Sequence, residues 1–274
     1  MLSLWLLSFV ALLILWALLW EPRALPDVER EPPLLIGHRG LRGRLPENSL
    51  AAFAAALDEG LDGVEFDVQR SCDGTLFILH DFALPDGRSA RSLTLAELQT
   101  FDPNIPALTD LFMLAKDYPS ALLNLEVKAQ GVRSDGVERS VVRVVRASGL
   151  SGRVLVSSFN PLTLLRVRLF APELRTALLC APDTPRPLSV RRIVQGLARA
   201  LHVDALHPHY SQVDAALLRW AARHGLPLNV WTVNDPADVK KLTRLRVNGL
   251  MADDPRALKD GVSTGVCLGG APRV

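Results

Sequence analysis

The stretches GVEFDV at residues 63–68, TLFIL at 75–79 and ALLNLEV at 121–127 decide the fold. Each is a short run of β-branched and large apolar residues, which reads as a strand. Outward from them, similar runs occur at 34–37 (LLIG), 153–157, 175–179, 204–207, 228–232 and 248–251. Amphipathic helical patterns separate most of these runs, at 47–59, 108–117, 137–148, 161–169, 189–201, 212–224 and 236–245. Such alternation implies a parallel sheet with helices outside. Five or six units make an open doubly wound sheet, whereas the number here, about eight, points to a TIM (β/α)8 barrel. A barrel takes roughly 250 residues, so one barrel and a short extra segment account for all 274.

Composition narrows the class. With 49% hydrophobic and 22% charged residues, the chain has ample material for a core. The net charge of +2 and the lack of a basic run argue against nucleic acid as a partner. The three cysteines, Cys72, Cys180 and Cys267, lack the close spacing of a zinc site or a disulfide framework.

Residues 1–20, MLSLWLLSFVALLILWALLW, contain no charge. About 20 apolar residues span a bilayer core of roughly 30 Å. There is no basic leader and no small-x-small cleavage site, so the reading is an uncleaved transmembrane anchor and a single-pass membrane protein. Arg23 and Arg30 lie among four acids just after it, which leaves the side of the membrane open. Residues 21–33, with four prolines, read as a linker, 34–262 as the barrel and 263–274 as a loose tail.

The out-of-place polar residues fall at strand ends, where a barrel builds its active site. His38 and Arg39 follow the first strand, and His80 and Asp81 close TLFILHD. Glu65 and Asp67 are two residues apart on one strand, so both project from the same face, and Glu126 and Lys128 repeat that spacing. Taken singly, a histidine at a strand end is more often a packing residue, and a Glu-x-Lys pair is often a plain ion pair. Their convergence changes the reading. Three carboxylates on neighbouring strands repel one another unless a cation lies between them. All-oxygen ligands select a hard divalent metal, Mg²⁺ or Ca²⁺. Two histidines beside it suit general acid and base roles, and Arg39 and Lys128 suit phosphate oxygens. These parts describe metal-assisted phosphodiester hydrolysis.

The run GHRGLRGRLPENSLAAFAAALDEGLDGVEFDVQRSCDGTLFILHD (37–81) strongly resembles the opening of the glycerophosphodiester phosphodiesterases, with its HRG, PEN, E-x-D-V and DGT…HD elements in order. Further along, IPALTDL, LNLEVK, SSFNP, NVWTVND and VNGLMADDP resemble later blocks of that family, so the likeness covers about residues 34–260. Carried over by position, the resemblance implies a TIM barrel with His38 and His80 as the acid–base pair. It implies Glu65, Asp67 and Glu126 as metal ligands and Arg39 and Lys128 at the phosphate. Glu47 would be a further active-site acid, and Phe159 and Trp231 would pack on the substrate near the mouth. His207 and His209 are candidate mouth residues, and His202 and His224 structural ones. One departure is the short segment between His80–Asp81 and Ile105–Pro106, where many family members carry a longer capping insertion; an open mouth suits larger diesters. The expected activity is hydrolysis of a glycerophosphodiester to glycerol phosphate and an alcohol. The rivals are a lysophospholipase D, acting on membrane lyso-lipids, and a catalytically silent lipid-binding barrel.

Overall fold

The computed structural model describes residues 15, 16, 19–24, 33–184 and 189–266. Strand β1 (Leu34–His38) leads through helix α1 (Leu50–Asp58) to β2 (Gly63–Arg70) and the short β3 (Leu76–Ile78). Helices α2 (Leu95–Phe101) and α3 (Leu108–Leu114) follow, then β4 (Leu122–Val127), α4 (Val137–Ser148), β5 (Val154–Ser158) and α5 (Pro161–Phe170). The chain continues as β6 (Arg175–Cys180), α6 (Arg191–Ala200), β7 (Ala205–Pro208), α7 (Ala215–Arg223), β8 (Asn229–Val230), α8 (Pro236–Arg244), β9 (Gly249–Ala252) and α9 (Pro255–Val266).

Eight strands pair in parallel in the order β7-β6-β5-β4-β2-β1-β9-β8, and β3 pairs antiparallel to β2 at the side. Short bridges between Leu206 and Leu228 and between His209 and Trp231 link β7 to β8, so the sheet is a nearly closed TIM-type barrel. Most of the helices begin where the sequence supplies a cap. Ser49, Asn160, Asp214 and Asp235 each accept a backbone N–H from the first turn of α1, α5, α7 and α8. Thr94 and Glu97 form a reciprocal capping box that starts α2, a helix that the periodicity of the sequence does not reveal.

The core has two layers. Between sheet and helices lie Phe53, Val64, Phe66, Leu123 and Leu125, with Phe53 and Phe66 edge to face at 5.8 Å. Inside the barrel, Leu34, Ile36, Leu122, Leu155, Ala177, Ala205 and Met251 fill the interior away from the polar end. The inner wall is tight there: a Cβ on Gly63 would lie 2.4 Å from the Leu122 carbonyl oxygen, so glycine is required. Above this apolar plug the inward positions turn polar, and that change places the site at the C-terminal mouth of the strands.

The expectation of a membrane-spanning anchor and a single-pass membrane localisation is corrected here. Among the described residues no helix is long and apolar enough to cross a membrane. Most of the apolar segment, residues 1–14, 17 and 18, lies outside the described residues. Its described end is packed on the barrel. Trp20 is 6% exposed, stacks near Trp220 with centroids 6.1 Å apart, and donates its indole N–H to the Val203 carbonyl at 2.9 Å. Trp16 stacks on His202 at 4.0 Å, and the Arg23 guanidinium bonds both oxygens of buried Asp204. Tryptophans suited to a membrane interface are equally suited to a protein surface with carbonyls to receive their N–H groups. Trp20→Ala is expected to lower stability by about 3 kcal/mol in chemical denaturation, as for other buried large side chains cut to alanine. A loss under 1 kcal/mol would show that this docking contributes little.

Candidate active site

The site is assembled mainly by β1, β2 and β4 and the loops after them. In register, His38 stands beside Glu65, and Asp67 beside Glu126. Because Glu65, Asp67, Glu126 and Lys128 alternate with outward apolar residues, all four point inwards. A hairpin brings in His80: after β2 the chain turns back as β3, and the Leu79 N–H bonds the Asp67 carbonyl at 2.9 Å. The Gln69 amide clamps that return by donating to the carbonyls of Leu79 and Asp81 at 2.8 and 2.9 Å.

Glu65, Asp67 and Glu126 are all buried, and each can offer a carboxylate oxygen within 4.8 Å of the other two. Lys128 Nζ lies 3.2 Å from Glu126 and 3.5 Å from Asp67. Arg39 serves three acids at once. Its backbone N–H donates to Glu65 at 3.1 Å, its Nη1 donates to Glu47 at 2.8 Å, and its Nε lies 3.3 Å from Asp67. The left-handed backbone of Arg39 (φ 54°) makes this possible, and Asn48 closes the same loop with φ 58°. Asn48 donates its side-chain N–H to Asp67 at 2.9 Å and its backbone N–H to the Arg39 carbonyl at 3.0 Å.

The charges do not balance. Burial, followed by the neighbouring Asp67 and Glu126, drives the Glu65 carboxyl well above its usual range. Burial, with Asp67 behind it, pushes Glu126 up to about 7 despite the attraction of Lys128. Asp67 is the exception: burial would raise it, but Lys128, Arg39 and His80 together hold it low. A further positive charge is what this cluster lacks, and oxygen donors in this number suit a hard divalent cation.

His38 Nδ1 is 2.7 Å from Asp253 Oδ1, and His80 Nδ1 is 2.7 Å from Asp81 Oδ1. A carboxylate only accepts, so each Nδ1 carries the proton and each Nε2 is left free for chemistry. Burial, with help from Lys128 and Arg39, lowers the His80 pKa and favours its neutral form.

A cavity of about 310 Å³ opens beside these groups. His38, Arg39, Glu65, His80, Glu126 and Lys128 line it, and Phe159 and Trp231 form an edge-to-face pair in its wall with centroids 5.6 Å apart. Asp67 and Glu47 do not line it; they hold Arg39 and, for Asp67, Lys128 from behind. The structure thus brings the ten candidate residues into one neighbourhood. His209 packs on Trp231 at 5.4 Å, but His207 is not a mouth residue: it is wholly buried and pushed down to about 3 by burial. Sequence reasoning missed Asp253, the partner of His38, and Asn48, the partner of Asp67. Asp253 directly follows β9 and so carried the same strand-end signal as His38. Asn48 had no such signal, because its role depends on the shape of a loop.

Known proteins resemble the chain over most of its length. The model of the glycerophosphoryl diester phosphodiesterase family matches residues 38–257. A glycerophosphodiester phosphodiesterase of Caldanaerobacter subterraneus is 30% identical over 249 residues, covering 85% of this chain and 98% of its own. A putative glycerophosphoryl diester phosphodiesterase from Silicibacter pomeroyi superposes with a TM-score of 0.76 at 26% identity, covering 89% of this chain and 96% of that one. An Oleispira antarctica phosphodiesterase, solved with the product sn-glycerol-3-phosphate, superposes at 0.70 with 27% identity over 84% of this chain and 97% of its own. By the extent of these matches, the chain belongs to the glycerophosphoryl diester phosphodiesterase family.

Proposed function

We propose that this protein hydrolyses glycerophosphodiesters to a glycerol phosphate and an alcohol, using the residues at the barrel mouth. The observation that carries this reading is the cluster of three buried, mutually repelling carboxylates flanked by two histidines and two cations. Glu65, Asp67 and Glu126 are the residues that would hold a divalent cation, Mg²⁺ or Ca²⁺. Such an ion supplies Lewis-acid stabilisation of charge on the phosphoryl oxygens.

The chain's own groups do the rest. Lys128, and Arg39 from the opposite side of Asp67, direct positive charge at the phosphate. His38 and His80 divide the two proton transfers: one removes a proton from the nucleophile at Nε2, the other protonates the departing alcohol oxygen. Asp253 and Asp81 keep those Nε2 atoms free by holding the Nδ1 protons. Asp253 is itself fixed by Asn234, whose side chain donates to its Oδ2 at 2.8 Å. Phe159 and Trp231 supply an apolar wall for the substrate.

The test is to assay the chain on glycerophosphocholine, glycerophosphoethanolamine and a lyso-phospholipid, following glycerol phosphate release from the first two and lysophosphatidate release from the third. EDTA is expected to abolish release from the two small diesters, and Mg²⁺ or Ca²⁺ to restore it. A folded protein that releases no glycerol phosphate with either metal would sink the reading. Turnover of the lyso-phospholipid alone would transfer it to a lysophospholipase D.

A further inference from the structure

The floor of the cavity is polar in a way that the reaction does not explain. Asn124 and Ser157 line the cavity, are 1% and 0% exposed, and point inwards from β4 and β5. Both the amide oxygen and nitrogen of Asn124, and the hydroxyl of Ser157, are buried with no hydrogen-bond partner among the protein's groups. A barrel interior is ordinarily filled with branched apolar side chains. Leu122 and Leu155, one inward step below Asn124 and Ser157 on the same strands, follow that rule. Keeping an amide and a hydroxyl unpaired in such a place is costly, so these groups are retained for something that enters the cavity.

Their position defines what that is. Asn124 stands in register with Glu65, and Ser157 with Glu126, so both stand beside the carboxylate cluster, one inward step above the apolar plug. A diester phosphate held by Arg39 and Lys128 would have one substituent beside these two buried groups and the other towards the open mouth. The part of a glycerophosphodiester that can pair with an unpaired amide and hydroxyl is the three-carbon glycerol, through its free hydroxyls. The variable alcohol then lies outward, towards Phe159 and Trp231. Each glycerol hydroxyl both donates and accepts, and so do the Asn124 amide and the Ser157 hydroxyl.

We propose that Asn124 and Ser157 are specificity-determining residues that bind the glycerol hydroxyls of the substrate. This rests on the phosphodiesterase reading above and adds what selects glycerol over another alcohol. Sites built to hydrogen-bond a substrate hydroxyl discriminate strongly against the analogue that lacks it, because their own buried groups are then left unpaired.

The experiment compares kcat/KM for glycerophosphocholine with that for propyl phosphocholine, which has the same phosphate and choline but no free hydroxyl. The proteins are the unaltered chain, Asn124→Leu and Ser157→Ala, with folding checked by circular dichroism. The unaltered protein is expected to prefer the glycerol diester by at least about 100-fold. Each substitution is expected to lower that preference about tenfold or more. A fall of equal factor on both substrates, or no fall on either, would overturn the assignment. Calorimetry gives a second readout that is independent of turnover: sn-glycerol 3-phosphate should bind more tightly than propyl phosphate, by a margin that shrinks in Ser157→Ala. If the unaltered chain hydrolyses neither diester, the functional reading fails, while the calorimetric margin still decides the floor. Should Asn124→Leu fail to fold, Ser157→Ala decides alone.

Discussion

His80→Gln and His38→Gln are each expected to lose about 10²- to 10⁴-fold in kcat with KM little changed, the scale of losing a positioned proton donor or acceptor. Glutamine keeps polar atoms at both sites, so the helices and the β7–β8 closure should be undisturbed and circular dichroism should match the parent. The two losses should not multiply in the double variant, because the histidines serve the same transition state. Asp81 is largely exposed, whereas Asp253 is half-buried and held by Asn234, so the two histidines differ in how firmly they are oriented. Either single variant keeping more than a tenth of parental kcat would remove that histidine from the proton transfers.

Glu126→Gln should abolish turnover and yet stabilise the metal-free protein at pH 8. Burial first, and then Asp67, push the folded-state pKa of Glu126 up to about 7, against a reference value of 4.5. A carboxyl raised on folding leaves stability intact below the unfolded pKa and erodes it as pH rises through the folded one. The penalty therefore develops between about pH 4.5 and 7 and is full at pH 8, on the order of a few kcal/mol. The variant avoids it. In EDTA its thermal midpoint should exceed that of the parent at pH 8, and the gap should close as pH approaches 4.5. Adding Mg²⁺ or Ca²⁺ should raise the parent's midpoint far more than the variant's, since the cation binds the folded site only. A variant less stable than its parent at pH 8 in EDTA would contradict this account of the carboxylate cluster.

Much of this was legible in the sequence because both the barrel and its site obey short-range rules. The i, i+2 spacing of Glu65 and Asp67 fixes a shared face whatever the surrounding fold, and strand-end position fixes the mouth. What stayed hidden depends on contacts across long loops. The partnership of His38 with Asp253 joins residues 215 apart in the chain, and Asn48 meets Asp67 only because the loop before α1 curls back. Asn124 and Ser157 sit within apolar runs and looked like ordinary strand residues until the cavity showed which way they faced. Helix α2 is too short to show periodicity, though the Thr94–Glu97 spacing announces it. At the other end, α9 reaches Val266 and so crosses the boundary at which a tail was expected. The N-terminal apolar run misled for a different reason: hydropathy measures avoidance of water, and does not say whether lipid or protein provides the shelter.

The left-handed loop between Arg39 and Asn48 bears on how this site can evolve. An ordinary side chain held at positive φ costs roughly 1–2 kcal/mol, and glycine would relieve it. Substitution by glycine at position 39 would keep the backbone N–H that reaches Glu65 and would discard the guanidinium that serves Glu47 and Asp67. Losing that cation from a cluster already short of positive charge would cost more than the backbone strain it relieves, so stability and turnover both retain arginine there. A library screened for heat resistance without an activity filter should give up arginine at position 39 only in variants that also lose a carboxylate of the cluster.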